Sequence, residues 1–356
     1  MREWGSEFDL DANLPFLTEE GSCSHPLNDG TALRYRSGRD ALKAVARSLS
    51  DKCRKVLLPA LCCESMVSPF LMNGYRVEFY GLGSDYTALL SDLESKLESG
   101  TVLLYLSYFG VPPFSDAEGE ALRRSHDGVV FVEDRTHDPL HRRPAGRFAP
   151  DVTVISIRKW IAIPDGGLLW SRVPMESANE MDGEFSRLRR RAMGQKSEYL
   201  ATGEESLKAS FRAMLGEAAE RLDLRAEPYG MTEESAALLR RLDFDAILRA
   251  RKRNARVLKE ALASAEADGV LSFIGADPEA STLYFPLLLS DRDGVQSSLA
   301  REGIYCPVIW PLPEGAEGVC PVASDTAERM LAIPCDQRYG EEDMRHIAEA
   351  LLRCLY

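Results

Sequence analysis

From residue 38 to about 170, two patterns take turns along the chain. Short apolar runs rich in Val, Leu, Phe and Tyr (KVLLPA, RVEFYGL, TVLLYLSYFG, GVVFVEDRT, DVTVISIRK and GGLLWSR) read as strands. Amphipathic stretches between them, GRDALKAVARSLSD, SMVSPFLMNG, LLSDLESKLESG and SDAEGEALRRSHDG, read as helices. This alternation predicts an α/β domain with a mainly parallel central sheet flanked by helices. From about 176 to 265 the chain turns charged and helical, with SLKASFRAMLGEAAERLDL and DFDAILRARKRNARVLKEALASAEADG as the clearest periodic segments. Beyond them a strand, TLYFPLLLS, and a closing amphipathic helix, GEEDMRHIAEALLRCL, indicate a small α+β unit. We expect an N-terminal arm over 1–34, a large α/β domain over 35–240, and a long helix leading into a small C-terminal domain over 241–356.

Composition narrows the classes of function. A chain of 356 residues with 45% apolar content can bury a substantial core. Lys and Arg total 43 against 56 Asp and Glu, a net charge of −13, and no basic run is long enough to track a phosphate backbone, so nucleic acid is not expected as a partner. Acidic residues interrupt the opening MREWGSEFDLDANL where a secretory signal needs an apolar stretch, and no segment approaches the ~18 apolar residues of a membrane helix. Eight cysteines (23, 53, 62, 63, 306, 320, 335 and 354) are scattered without paired C-x-x-C spacing, which suits reduced thiols in the cytoplasm rather than a disulfide framework or a metal site.

In a parallel sheet, chemistry gathers beyond the C-terminal strand ends, so those ends are the places to look. RSGRDALKAV puts Ser37 and Gly38 at a helix start, where free backbone N–H groups and the positive dipole end suit a phosphate; the same residues also suit an ordinary N-cap. FVEDRTHDP carries Glu133 and Asp134 at a strand edge, with His137 three residues after Asp134. Asp134, His137 and His141 could be read as metal ligands, but Pro139 interrupts the helix that would align the two histidines, and no metal is assigned. A carboxylate capping the next segment is the plain structural alternative. SIRKW then supplies Ser156 and Lys159, a lysine at a strand end where partial desolvation would favour attack on a carbonyl. A phosphate-binding helix start, a strand-end acid and a strand-end lysine are together the parts of a pyridoxal phosphate site: the acid pairs with the ring nitrogen and the lysine holds the aldehyde.

From about residue 35 onward the sequence resembles the fold type I pyridoxal phosphate enzymes, and within them the DegT/DnrJ/StrS sugar aminotransferase family. Ser37-Gly38-Arg39-Asp40-Ala41-Leu42 matches the family's S-G-T-x-A-L, and Pro59 and Gly74 keep a fifteen-residue spacing between strand-ending Pro and Gly. Glu133-Asp134-Arg135-Thr136-His137 matches E-D-x-A-[QH]; Ser156, Lys159 and PDGGLL match the lysine segment, and EGIYCPVIWPLP and LAIPCDQRYGEEDMRHIAEAL look like the small domain.

The resemblance implies that Lys159 holds the cofactor and shuttles the proton at the substrate's α carbon. It also implies that Asp134 pairs with the ring nitrogen and that His137 approaches the phenolic oxygen. Ser37, Gly38, Arg39 and Ser156 would hold the phosphate, and a homodimer is implied. Departures are specific. The Ser-to-Lys spacing is shortened, Arg158 precedes the lysine, Arg39 replaces a threonine, and Cys63 stands where a ring-stacking aromatic is usual, leaving stacking to Tyr108 or Phe109. The family's Asn-Tyr-Arg segment has no counterpart near MDGEFSRLRRRAMGQKSEYL. The implied reaction moves an amino group from an amino acid donor to a keto acceptor such as a keto-sugar. Cys62 and Cys63 motivate the alternative of a lyase, dehydratase or desulfurase-like enzyme, and a non-catalytic scaffold is the third reading.

Overall fold

A computed structural model describes residues 3–22, 24–141, 146–275 and 283–356; Cys23 and Thr282, the first residue of TLYFPLLLS, lie outside that set. The strands are β1 (Trp4–Gly5), β2 (Leu33–Tyr35), β3 (Lys55–Pro59), β4 (Arg76–Tyr80), β5 (Thr101–Leu106), β6 (Val130–Asp134), β7 (Val152–Ile155), β8 (Gly167–Ser171), β9 (Leu271–Phe273), β10 (Phe285–Leu289), β11 (Ile304–Tyr305) and β12 (Met330–Ile333). The helices are α1 (Gly38–Leu49), α2 (Glu64–Leu71), α3 (Leu90–Lys96), α4 (Asp116–Ser125), α5 (Gly183–Thr202), α6 (Glu205–Glu220), α7 (Glu233–Leu239), α8 (Phe244–Ala267), α9 (Arg292–Arg301), α10 (Pro321–Arg329) and α11 (Glu341–Leu355).

Seven strands form the central sheet in the order β2-β8-β7-β6-β5-β3-β4. β3 to β7 pair in parallel, whereas β8 runs antiparallel to β7 and β2 antiparallel to β8. All six expected apolar runs are strands of this sheet. Every residue of β3 and β5 is buried, as strands covered on both faces require. Register places Leu106, Asp134 and Val154 side by side on β5, β6 and β7, so the acid sits at the C-terminal edge in the middle of the parallel strands. Ala41, Leu42 and Val45 of α1 pack into the same core as Val56 and Leu57 of β3, which fixes the start of α1 over that edge.

A second core joins Leu258 and Leu262 of α8 to Leu287 of β10, Leu331 of β12 and Ile347 and Leu351 of α11, around the antiparallel sheet β12-β10-β9. Strand β1 pairs in parallel with β11, and Trp4 Nε1 donates to Asp343 Oδ1 at 2.7 Å while its ring stacks on His346 at 4.5 Å. The segment that lacks the family's Asn-Tyr-Arg pattern forms α5, whose Phe185 and Leu188 share a core with Ala218 of α6 and Leu222 of the 3-10 turn after it. Among the described residues, no helix is long and apolar enough to cross a membrane.

Candidate active site

The start of α1 is set by close backbone contacts. The Ser37 hydroxyl accepts the Asp40 N–H at 3.1 Å and donates to Asp40 Oδ2 at 2.6 Å, an N-cap in which the side chain satisfies the helix's own first turn. Two glycines let the chain segments meet there. A Cβ on Gly167 would lie 2.1 Å from the Ser37 carbonyl oxygen, and one on Gly38 would lie 2.8 Å from the Ser156 Cβ. Helix start, β8 and the turn after β7 are thereby pressed together, with the Gly38 and Arg39 backbone at the pocket wall.

At the end of β6, Thr136 ties the neighbouring parts into one unit. Its N–H donates to Asp134 Oδ1 at 2.8 Å, its hydroxyl accepts the Ser156 N–H at 2.9 Å, and its carbonyl accepts the Trp160 Nε1 hydrogen at 2.7 Å. Burial pushes the Asp134 carboxyl above the usual carboxylate range, while the Thr136 hydrogen bonds and the Lys159 charge pull it back. The His137 ring lies between Phe109, at 4.6 Å, and Trp310, at 5.3 Å. Burial and, secondarily, the Lys159 charge push its imidazole down to about 3, so it is neutral at physiological pH.

Lys159 does not sit in the strand. β7 ends at Ile155, and Ile157–Lys159 form a 3-10 turn that carries the lysine out of the sheet to an exposed position on the cleft, where the sequence led us to expect a partly desolvated strand residue. The turn is held from behind: Trp160 is buried, and its carbonyl accepts Arg251 Nη2 at 3.1 Å and Gln337 Nε2 at 2.8 Å. The exposed lysine thus stands on an anchored base. The Ser156 hydroxyl has no hydrogen-bond partner among the described residues and faces the same pocket.

That pocket gathers Gly38, Arg39, Cys63, Asp134, His137, Ser156, Arg158 and Lys159, seven of the eight expected site residues together with Arg158. Ser37 is the exception, its hydroxyl engaged by Asp40. Leu42, Ser65, Met66, Leu106, Thr136 and Trp310 complete the wall and have no role assigned from sequence. Tyr108 and Phe109 do not line the pocket: Tyr108 donates to the Leu61 carbonyl in the core and Phe109 backs His137. Cys63 Sγ is 2.8 Å from Ser65 Oγ. His141 faces a neighbouring cleft with Asp138, away from His137, and no cluster of three metal-ligating side chains occurs among the described residues. Arg158, Lys159, His137 and Trp310 also border a second, wider cavity of about 800 Å³ reaching to Lys208, Arg212 and Tyr305. A narrow pocket with an acid and a lysine, opening into a substrate-sized cavity, is suited to hold one group deeply and to admit another.

Known proteins share this arrangement of elements. The structure of a putative sugar aminotransferase, Spr1654 from Streptococcus pneumoniae in its PLP form, superposes over 100% of this chain and 98% of its own with a TM-score of 0.67 at 14% identity. PseC of Helicobacter pylori, an aminotransferase involved in the biosynthesis of pseudoaminic acid, superposes over 99% of both chains with a TM-score of 0.62 at 15% identity. A UDP-N-acetyl-3-dehydro-alpha-D-glucosamine 3-aminotransferase from Acidithiobacillus ferrooxidans is 33% identical over 93 residues, a stretch that spans only 22% of this chain and 25% of that enzyme. Over residues 32–352, which contain the whole central sheet and every wall of the pocket, the sequence matches the profile of the DegT/DnrJ/EryC1/StrS aminotransferase family, and the chain belongs to that family.

Proposed function

We propose that this protein is a pyridoxal phosphate-dependent aminotransferase that moves an amino group from an amino acid donor to a keto acceptor, with a keto-sugar as the acceptor class. The observation that carries the reading is the convergence of Asp134, Ser156, Lys159 and the start of α1 on one pocket. These residues fit the cofactor. Gly38 and Arg39 present backbone N–H groups at a helix N-terminus and Ser156 a hydroxyl for the phosphate, Asp134 a half-buried carboxylate for the ring nitrogen, and Lys159 an amine for the aldehyde. Pyridoxal phosphate, when bound, supplies an electron sink for the bond broken at the substrate's α carbon.

The chain's own residues do the rest. Lys159, on its fixed turn, would take the proton from the donor's α carbon and deliver it to the carbon that carried the cofactor's aldehyde. Asp134 keeps the ring nitrogen protonated, a role that suits a carboxylate whose burial demands a cationic partner. Neutral His137 packs against Phe109, tilted 35°, and Trp310, at 29°, where it can hydrogen-bond without adding charge near Lys159. The keto-sugar acceptor is supported by the family and by the sugar substrate in the name of the Acidithiobacillus relative. A cytoplasmic homodimer is the expected form.

The thiols do not favour a desulfurase-like alternative. Burial pushes the Cys62 thiol well above its usual range, and Cys63 contacts Ser65. Purified protein mixed with pyridoxal phosphate should acquire the visible band of lysine-linked cofactor, lose it on addition of an amino acid donor, and regain it with a keto-sugar nucleotide. Lys159→Ala should abolish the band and lower turnover on the order of 10³-fold or more. A band that persists in that variant overturns the proposal.

A further inference from the structure

Arg158 is the one pocket residue whose charge the aminotransferase reading leaves without a task. It lines both the narrow pocket and the wide cavity, one position before Lys159. Its Nε is buried and has no hydrogen-bond partner, and among the described residues its guanidinium makes no ion pair. The nearby carboxylates are already taken. Glu7 pairs with Arg189 at 2.9 Å, Asp223 pairs with Arg39, and Asp40 is gripped by Arg36 at 2.8 and 2.9 Å. Arg39, Arg158 and Lys159 thus crowd positive charge on the pocket wall, and Arg189 adds to it behind Arg158. Burial, with Arg189 next, pushes the Arg158 guanidinium down to about 10 against the opposing pull of Glu7 and Asp40.

Resting on the function proposed above, we infer that Arg158 is an oxyanion anchor, its planar fork kept open by the chain for a phosphoryl or carboxylate group entering beside Lys159. A guanidinium binds either group through two parallel hydrogen bonds, which an amine cannot do. Two sources bring such a group to this wall. The cofactor's phosphate would reach Arg158 from the side of Gly38 and Ser156, and a substrate's carboxylate from the wide cavity.

Two ratios separate them in Arg158→Gln, neither requiring turnover. The first is the affinity of the apoprotein for pyridoxal 5'-phosphate over that for pyridoxal, which lacks the phosphate. The second is the reaction rate of cofactor-loaded protein with aminooxyacetate over that with O-methylhydroxylamine, which lacks the carboxylate. A phosphate anchor lowers the first ratio by about 10- to 100-fold and leaves the second, whereas a carboxylate anchor does the reverse. Arg158→Lys, which keeps the charge and loses the fork, should show a smaller fall in the same ratio, and it decides the matter if the glutamine variant does not fold. Both ratios within twofold of the parent's overturn the inference. Failure of the parent itself to acquire a visible band with pyridoxal 5'-phosphate overturns instead the aminotransferase reading on which it rests.

Discussion

Two groups of charge flank the first turn of α1, and their bonding is opposite in kind. On one side Arg36 binds Asp40 through two nitrogens, reaches Asp182 at 2.8 Å, and lies over the rings of Phe185 and Tyr229, while Arg221 completes Asp182 at 2.9 Å. Arg36 and Asp40 are 1% and 0% exposed, and each charge has an opposite partner. On the other side Asp134, Arg158 and Lys159 share a pocket, and none makes an ion pair among the described residues. The first group is buried and complete within the chain; the second, with Asp134 and Arg158 half-buried and Lys159 exposed, is open to the cleft. A buried network closed by its own partners holds structure, and one left open is a receptor.

Breaking the closed group should have the largest effect. Arg36→Met takes the guanidinium from buried Asp40 and leaves Asp182 with Arg221 alone, and we expect a loss of about 3–5 kcal/mol of unfolding free energy, read from the urea midpoint. An unchanged midpoint would mean that the two groups do not differ as described. In the open group the balance should invert. Asp134→Asn should lower aminotransferase turnover on the order of 10²- to 10³-fold. Its urea midpoint should hold or rise, because burial already disfavours the charged carboxyl that the variant removes. A midpoint that falls with activity would assign Asp134 a structural task instead.

The smallest effect sharpens the contrast through pH. The His137 imidazole titrates at 6.5 when unperturbed and at about 3 in the fold, so between those values the unfolded chain binds the additional proton. Its contribution to stability is complete above about pH 6.5 and is lost as pH falls toward 3, by at most about 1.4 kcal/mol per pH unit. His137→Gln should flatten that part of the stability curve. Equal slopes for variant and parent between pH 6.5 and 5 would discard the assignment.

Much of this architecture was legible because it is local. Strand and helix periods in residues 38–170 announce themselves over a few positions, and parallel strands put Asp134 and Ser156 at one edge as soon as their order is known. The rest depends on meetings across long separations. Trp310 reaches the pocket from beyond the central sheet with no pattern of its own, and Thr136 looks like filler between Asp134 and His137 until its three hydrogen bonds are seen. Ser37 matched the right motif, yet its hydroxyl turns inward, because Asp40 three residues on offers both an N–H and a carboxylate. Lys159 reads as a strand residue because SIRK follows an apolar run without a break; the 3-10 turn over Ile157–Lys159 that takes it out of the sheet has no mark of its own in the sequence.

The pairing of β1 with β11 has a consequence for the order in which the molecule is made. Trp4 waits for Asp343, 339 positions later, and at about 5–20 residues per second a ribosome takes roughly 20–70 s to deliver it. Contacts from Glu3 to Lys208 and from Glu7 to Arg189 can form earlier, but the pairing with β11 and the Trp4–Asp343 bond cannot. Strand β1 is therefore among the last pieces to dock on a newborn chain, and a bulky fusion or a chaperone resting on it during synthesis would delay the closing step without touching the sheet.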